Sequence, residues 1–431
     1  MRSAFQEINK YNLSIIGLGY LGYSNLVNFT SIGLKVNIND FGNKINRAKK
    51  INKSISPTQK IRNEFDSIYR NKLNFENIYK KSIKDIFLKK NSIIYLCNSE
   101  FLNSDKVNKS LIKEINYNKK NIKKNKPLFV IEFLNTPGKI YESFIENLKT
   151  FNLSISKDYN LLFAPRGDWN LENLYKSKYR PTWSSNKKAF EDFSKILSLF
   201  DQKTYLIDDL KNLEIISNLY NSLEHTNNIL VNQLSLSYTD SNIHNLINDF
   251  NKLYSYNLSI SGIGSMGLRL PSSSLNLLKG ADNPDQLTIL KEVIHTDFSL
   301  FKQITSKTIF NKKMKIAILG LGHYDNKSYE GISPSLELYR DLKNKVKDVK
   351  LHDSNVDFKD YEELNDIKTF NFAREISSFD IIIITTFDND YASISWDQLN
   401  KILKCKIVFD TCGVWSKFKW KLSKIKYYLI K

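Results

Sequence analysis

The feature that most constrains the fold lies near the start of the chain, in Ile16-Gly17-Leu18-Gly19-Tyr20-Leu21-Gly22 and, eighteen residues later, Asp40. The apolar run Leu13-Ser14-Ile15-Ile16 predicts a short strand entering this turn, and Leu26, Val27 and Phe29 are apolar positions of a helix leaving it. Lys35-Val36-Asn37-Ile38-Asn39 predicts a second strand that ends at Asp40. Strand, glycine turn, helix and acid in this order form a dinucleotide-binding fingerprint in its required context. Gly17 makes the tight turn, Gly19 lets backbone approach a pyrophosphate, and Gly22 allows helix and strand to pack closely. The pyrophosphate is expected on the helix N-terminus, where free N–H groups and the dipole favour an anion. Asp40 would accept from both ribose hydroxyls and repel a 2′-phosphate. The expected cofactor is therefore NAD, held by Gly17, Gly19, Tyr20, Leu21, Gly22 and Asp40; the alternative is a glycine turn of structural use only.

Further strands are expected at residues 92–97, 127–131 and 161–165, with Thr136-Pro137-Gly138 as a turn. A second pattern begins at Lys313-Met314-Lys315-Ile316-Ala317-Ile318-Leu319 and opens into Gly320-Leu321-Gly322. Ser333-Pro334 then starts a helix, Ser as N-cap and Pro at the first position. Strands follow at 349–352, 380–385 and 406–409. The first turn of this second wing lacks a third glycine, so no dinucleotide is assigned to it. Its pocket is expected beyond the strand C-termini, near Gly320, Asp353, Thr386 and Asp410. His323 and His352 are lone loop histidines, a class that usually serves no ligand.

Between the wings, residues 214–238 fit one long helix with Ile215, Ile216, Leu219, Leu223, Leu230, Val231 and Leu234 as an apolar stripe. Such a stripe is core or dimer seam, and a catalytic face only where polar residues such as Asn221 and Glu224 interrupt it. A Gly-rich loop, Gly262 to Pro271, and a second helix at about 285–306 follow. The predicted fold class is α/β: two Rossmann-like doubly wound domains (1–205 and 309–431) joined by a central helical domain (206–308).

With 431 residues the chain is long enough for such domains to bury their own cores. No apolar run approaches the ~18 residues of a membrane span, and no apolar leader segment is expected at the N-terminus. Cys97, Cys405 and Cys412 form no CxxC pair, which argues for a reducing cytosol and against structural zinc. The net charge of +19 comes from Lys scattered with Asn and Ile. Its one dense run, residues 119–126, precedes a strand and reads as a solvated helix end or loop. This distribution speaks against nucleic acid, while a basic surface suits polyanionic dinucleotides and nucleotide sugars.

Two α/β wings around a long helix and a Gly-rich loop resemble the UDP-glucose/GDP-mannose dehydrogenase family over nearly the whole chain. The best-matched pieces are Ile16 to Gly22 with Asp40, Asn221 with Asn232-Gln233, Gly264 to Pro271, and Ile318 to Gly322 leading to Ser333-Pro334. The resemblance implies NAD-dependent oxidation of a nucleotide sugar's C6 alcohol to a carboxylate in two hydride transfers. It also implies a cysteine that holds the aldehyde as a thiohemiacetal, and a lysine and an asparagine that stabilise oxyanions or position water. A nucleotide bound by the C-terminal wing (a UDP-sugar), a cytoplasmic role in polysaccharide-precursor metabolism, and a homodimer through the central helix follow by resemblance as well.

Carried over one residue at a time, the resemblance implies Asn221 as the catalytic asparagine and Gly264, Gly267 and Arg269 in the substrate loop. Arg269, however, stands where the family's cysteine belongs, Met266 replaces a glycine, and Ser217 occupies the position of the lysine. Ser272-Ser273 follow the loop proline where an acid is expected, Arg166 replaces a glutamate after Ala164-Pro165, and Cys412 replaces a basic residue. A protonated guanidinium cannot attack an aldehyde, and a serine lacks the positive charge that stabilises an oxyanion. Three readings stay open: an impaired dehydrogenase that keeps NAD, an oxidoreductase of altered chemistry in which Arg269 holds a substrate carboxylate, and a non-catalytic binding partner. The bland alternative for Arg269 is drift, with its side chain turned to solvent.

Overall fold

A computed structural model describes residues 2–40, 74–97, 105–166, 178–238, 243–256, 258, 262–265, 270–306, 310–321, 333–356, 358–405, 407–421 and 425–429. The chain resolves into two compact units, Met1–Tyr220 with Lys279–Pro284, and Asn221–Leu278 with Asp285–Lys431. Among the described residues no helix is long and apolar enough to cross a membrane.

Unit one is built on an eight-stranded sheet: β1 (Asn12–Ile16), β2 (Val36–Asn39), β3 (Ile78–Lys80), β4 (Ser92–Leu96), β5 (Leu128–Ile131), β6 (Asn160–Phe163), β7 (Tyr179–Ser184) and β8 (Lys203–Leu206). Their order is β3-β2-β1-β4-β5-β6-β7-β8, parallel throughout except where β7 runs against β6. Strand order reverses between β1 and β4, which creates a crevice at their carboxyl ends. Alternate side chains leave opposite faces of a strand. Leu13, Ile15, Val36, Ile93 and Tyr95 enter one core with Leu26 and Phe29 of helix α1 (Tyr20–Ser31) and Phe193 of α2 (Lys187–Ser198). Ile16, Ile94, Leu96, Phe129 and Phe163 enter the other with Phe144, Leu148 and Leu213. Covering both faces is why these parallel strands are apolar along their length. The lysine run 119–126 forms the short helix Lys119–Asn125, which buries Ile122 and leaves its lysines in solvent.

Helix α3 (Leu210–Ser237) passes from unit one to unit two between Tyr220 and Asn221. It is followed by α4 (Ile243–Tyr254), α5 (Leu270–Gly280) and α6 (Thr288–Ser306). Unit two then holds a parallel five-stranded sheet: β9 (Lys315–Leu319), β10 (Asp348–His352), β11 (Ile381–Ile384), β12 (Ile407–Asp410) and β13 (Lys426–Leu429), in the order β10-β9-β11-β12-β13. Ile316, Ile318, Ile381 and Ile383 pack on α7 (Pro334–Lys343), on Ile263 and on Phe301 of α6. Ala317, Leu319, Ile382 and Ile384 pack on Tyr391, Val408 and Trp415. Both sheets are doubly wound, the predicted fold class.

The packing of α3 departs from expectation. Of the apolar stripe read from the sequence, only Val231 is buried, while Ile215, Ile216, Leu219, Leu223 and Leu230 are exposed, together with Tyr220. The buried face is polar: Glu214, Asn218, Asn221, His225, Asn228, Asn232 and Ser235 recur at alternating intervals of four and three residues. That spacing sets one line along a helix. Helical periodicity tells that two faces exist; which face meets the protein depends on partners that a local pattern does not contain.

Candidate functional site

The turn after β1 is assembled by backbone. Gly17 adopts φ +97°, a conformation open mainly to glycine, and its N–H donates to Asn39 O at 3.0 Å. A β-carbon on Gly22 would fall 1.8 Å from Gly17 O, so only glycine lets α1 lie this close to the turn. Gly19 is the N-cap of α1 and offers no side-chain cap. A β-carbon there would meet nothing within 4 Å. Among the described residues, nothing crowds the N-terminal end of α1 at Gly19, where the amides of Tyr20, Leu21 and Gly22 begin the helix with its dipole behind them. Leu21 roots this end of the helix by packing against both cores of unit one. Asp40 is buried just past β2, and its Oδ2 accepts from Leu18 N at 3.3 Å. These residues fit NAD: a pyrophosphate cradle of backbone amides, and a carboxylate at the end of the second strand where the ribose is bound.

Other residues just past strand carboxyl ends in unit one form a buried polar cluster. Glu132 follows β5, Arg166 lies beyond β6, and Cys97 follows β4. Asn25 Nδ2 donates to Glu132 Oε2 at 2.5 Å and contacts Cys97 Sγ at 3.7 Å. Arg166 Nη1 donates to Ser24 Oγ at 2.7 Å and to Asn25 Oδ1 at 3.1 Å. Burial, reinforced by the charge of Glu132 and opposed by Arg166, holds the Cys97 thiol well above its ordinary pKa. No carboxylate is legible beside Cys97 in the sequence; position immediately past a parallel strand is the available signal.

On the inner face of α3, Glu214 accepts from Gly138 N at 2.7 Å and Ile140 N at 3.1 Å, clasping the turn after Pro137. Burial raises its pKa to about 7 against the pull of those two bonds. Asn218 Nδ2 donates to Asn135 O at 2.7 Å. Ser217 is turned onto its own helix, its hydroxyl donating to Leu213 O at 2.6 Å. One turn on, in unit two, Asn221 Nδ2 donates to Ser273 Oγ at 3.1 Å, and its buried Oδ1 has no hydrogen-bond partner among the described residues. His225 joins Ser274 Oγ through Nδ1 and Asp297 Oδ2 through Nε2, each at 2.9 Å. Glu224, the other polar residue expected on the catalytic face, is only half-buried and lies off this line.

The start of the Gly-rich loop is wedged into unit two. A β-carbon on Gly262 would lie 2.9 Å from Cys412 Sγ and 3.1 Å from Thr411 Oγ1. Gly264, at φ +145°, faces Pro334 Cγ and Asp297, with 2.9 and 3.0 Å left for a β-carbon. Ser265 N donates to Asp297 Oδ1 at 2.7 Å. Gly267 and Arg269 lie outside the described residues, as does His323. Sequence reasoning missed His225, Ser274 and Asp297. His225 was legible as the member of the polar line one turn after Asn221, whereas Asp297 comes from another helix with no shared local pattern.

In the C-terminal wing, Gly320 turns at φ +104° and Leu321 N donates to Asp353 Oδ2 at 2.8 Å. Thr386 presses on Gly320, leaving 2.5 Å for a β-carbon. Gly320, Asp353 and Thr386 are thus brought together as expected of that pocket. Asp410 instead gathers Cys412 N, Val414 N and Trp415 N, and its Oδ2 accepts from Tyr427 Oη at 2.5 Å. Burial holds its pKa above the usual carboxylate range against these bonds. Ser333 is the N-cap of α7 and Pro334 its first residue, as predicted, but the Ser333 hydroxyl donates to Leu321 O at 2.9 Å and makes no cap bond to the helix. His352 Nδ1 meets Tyr391 Oη at 2.7 Å, and burial lowers the pKa of this half-buried histidine. Among the described residues no three His, Cys, Asp or Glu side chains gather as metal ligands.

Residues 317–417 match the model of the UDP-glucose/GDP-mannose dehydrogenase family, UDP binding domain. Over the whole length, the chain is 23% identical to UDP-N-acetyl-D-mannosamine dehydrogenase of Pyrococcus horikoshii, covering 92% of this chain and 94% of that protein. It is 24% identical to UDP-glucose 6-dehydrogenase of Rickettsia felis, covering 97% and 96%. The fold matches the solved structure of the Pyrococcus horikoshii UDP-D-ManNAc dehydrogenase with a TM-score of 0.76 at 19% identity, covering 97% of this chain and 99% of that one. A UDP-glucose dehydrogenase from Pyrobaculum islandicum gives 0.75 at 15% identity, covering 97% of both chains. Residues 317–417 thus match the UDP binding domain of the UDP-glucose/GDP-mannose dehydrogenase family, and the relatives that are similar over the whole length are nucleotide-sugar dehydrogenases.

Proposed function

We propose that this protein binds NAD through Gly17, Gly19, Tyr20, Leu21, Gly22 and Asp40, and a UDP-sugar through a site that includes Asn221, Gly264, Gly267 and Arg269. Bound NAD would supply the hydride acceptor for oxidation at C6 of the sugar. The complete two-step conversion to the uronate is impaired or absent. The observation that carries this reading is the state of the groups that would do the second oxidation. All three cysteines are thiols that resist ionisation: Cys97 is held well up, and Cys405 and Cys412 are each pushed to about 12, burial being the first cause in every case. A thiohemiacetal needs a thiolate, and none of these offers one near neutral pH. Ser217, at the lysine position, is neutral and hydrogen-bonded to its own helix.

The same observation supports a second reading, a binding-only partner subunit that has kept the fold. The test is NADH absorbance from the full chain with NAD and a panel of UDP- and GDP-sugars, beside thermal shift with each ligand. Steady NADH formation at the rate of an ordinary two-step enzyme would sink the first reading. Weak or single-turnover formation supports it, and stabilisation by NAD without any NADH favours the second.

A homodimer through α3 is part of the proposal. Ile215, Ile216, Leu219, Tyr220, Leu223 and Leu230 expose an apolar stripe of the kind that marks a protein interface. Light scattering should give twice the chain mass, and Leu223→Lys should return it to one.

A further inference from the structure

We infer that His225 and Asp297 form a latch that sets the geometry of the sugar site, an inference that rests on the nucleotide-sugar reading of unit two. Four separate pieces of chain meet at this pair. Asp297 of α6 holds residues 262–265 through Ser265 N, and its second oxygen holds His225 of α3. The other nitrogen of His225 holds Ser274, next in α5 to the Ser273 that receives Asn221. With Asp297 ionised, Nε2–H donates to the carboxylate and Nδ1 accepts from the Ser274 hydroxyl, so both ring nitrogens are committed. All of these side chains are buried, so each bond is made where leaving a partner unmatched is costly. Gly264 adds a steric contribution, since any side chain there would strike Asp297.

Two of the latched residues and the neighbouring Ser222 also carry the observation that points to a ligand. Asn221 Oδ1, Ser222 Oγ and Ser265 Oγ are buried and have no hydrogen-bond partner among the described residues. Neutral acceptors and hydroxyls of this kind, with no cation among them, suit the hydroxyl groups of a sugar. His225 and Asp297 act on such a ligand only through Asn221, Ser265 and Ser273, and are positioning residues.

The test uses the full chain and three variants. His225→Ala and Asp297→Ala each remove the latch. Asp297→Asn keeps an oxygen for Ser265 N–H, and its amide can donate to the other histidine tautomer, whose Nδ1–H then reaches Ser274. Hydrogen exchange at Ser265 should rise about tenfold or more in both alanine variants and return to within about threefold of wild type in Asp297→Asn. Affinity for UDP-glucose should weaken about tenfold in the alanine variants while NAD affinity stays within about twofold. Unchanged exchange at Ser265 in a folded alanine variant overturns the latch, as does equal loss of both ligands. If the alanine variants do not fold, Ser274→Ala, which removes one bond and leaves Asp297 in place, should still raise exchange in residues 270–274. If the wild-type chain binds no UDP-glucose, the nucleotide-sugar reading fails while the exchange measurement still judges the latch.

Discussion

At the end of β1, Gly17 turns at φ +97° and Leu18 N–H reaches Asp40 at the end of β2; at the end of β9, Gly320 turns at φ +104° and Leu321 N–H reaches Asp353 at the end of β10. The two backbones repeat each other, and their surroundings differ. Gly19 faces open space, and Gly22 brings a helix N-terminus down onto the turn. The second turn is filled: Thr386 abuts Gly320, and the Thr385 hydroxyl lies within hydrogen-bond reach of Leu319 O and Gly320 O at 2.9 and 2.7 Å. A glycine turn thus provides a bend in both wings, and Thr385 and Thr386 crowd the second one.

The comparison can be broken most directly at the glycines. Gly22→Val drives a side chain into Gly17 O and should destabilise the protein by about 3 kcal/mol and abolish measurable NAD binding in calorimetric titration. Gly320→Ala should lower the melting temperature and leave NAD affinity unchanged, because its clash is with Thr386. Normal NAD binding by Gly22→Val would mean that the first turn is not the cradle.

A second effect, roughly 1–3 kcal/mol, should come from Glu214. Its folded pKa of about 7 lies above the ordinary value of 4.5, so the fold favours the protonated form. The stability it contributes is complete below about pH 4.5 and is lost as pH rises through about 7. Urea denaturation at pH 4.5, 6 and 8 should show that decline in the wild type and a flatter profile in Glu214→Gln; parallel profiles would remove Glu214 as the cause. The smallest effect separates the two acids. Asp40→Ala should weaken NAD about tenfold, and Asp353→Ala should leave it unchanged, again by titration.

Much of this was legible in the sequence, for physical reasons. Parallel strands covered on both faces read as short apolar runs, so β1, β2, β4, β5, β6 and β9 to β12 were visible. β7, β8 and β13 were not: Tyr179-Arg180-Pro181-Thr182-Trp183-Ser184, Lys203-Thr204-Tyr205-Leu206 and Lys426-Tyr427-Tyr428-Leu429 lie toward sheet edges and carry polar side chains. The glycine cradle was readable because each glycine answers a steric demand within a few residues. The latch was hidden because His225, Ser274 and Asp297 meet across 72 residues of sequence through tertiary packing alone.

The inverted helix α3 bears on how the molecule should behave when diluted. Along 28 residues it buries a line of amides, hydroxyls and an imidazole and leaves Ile215, Ile216, Leu219, Leu223 and Leu230 to water, so a lone protomer gains less from solvent exclusion there than the number of aliphatic residues would allow. Self-association would supply what the isolated fold withholds, and its melting point should then climb with protein concentration. In very dilute solution α3 should fray early, and the register of Asn221 and His225 with it.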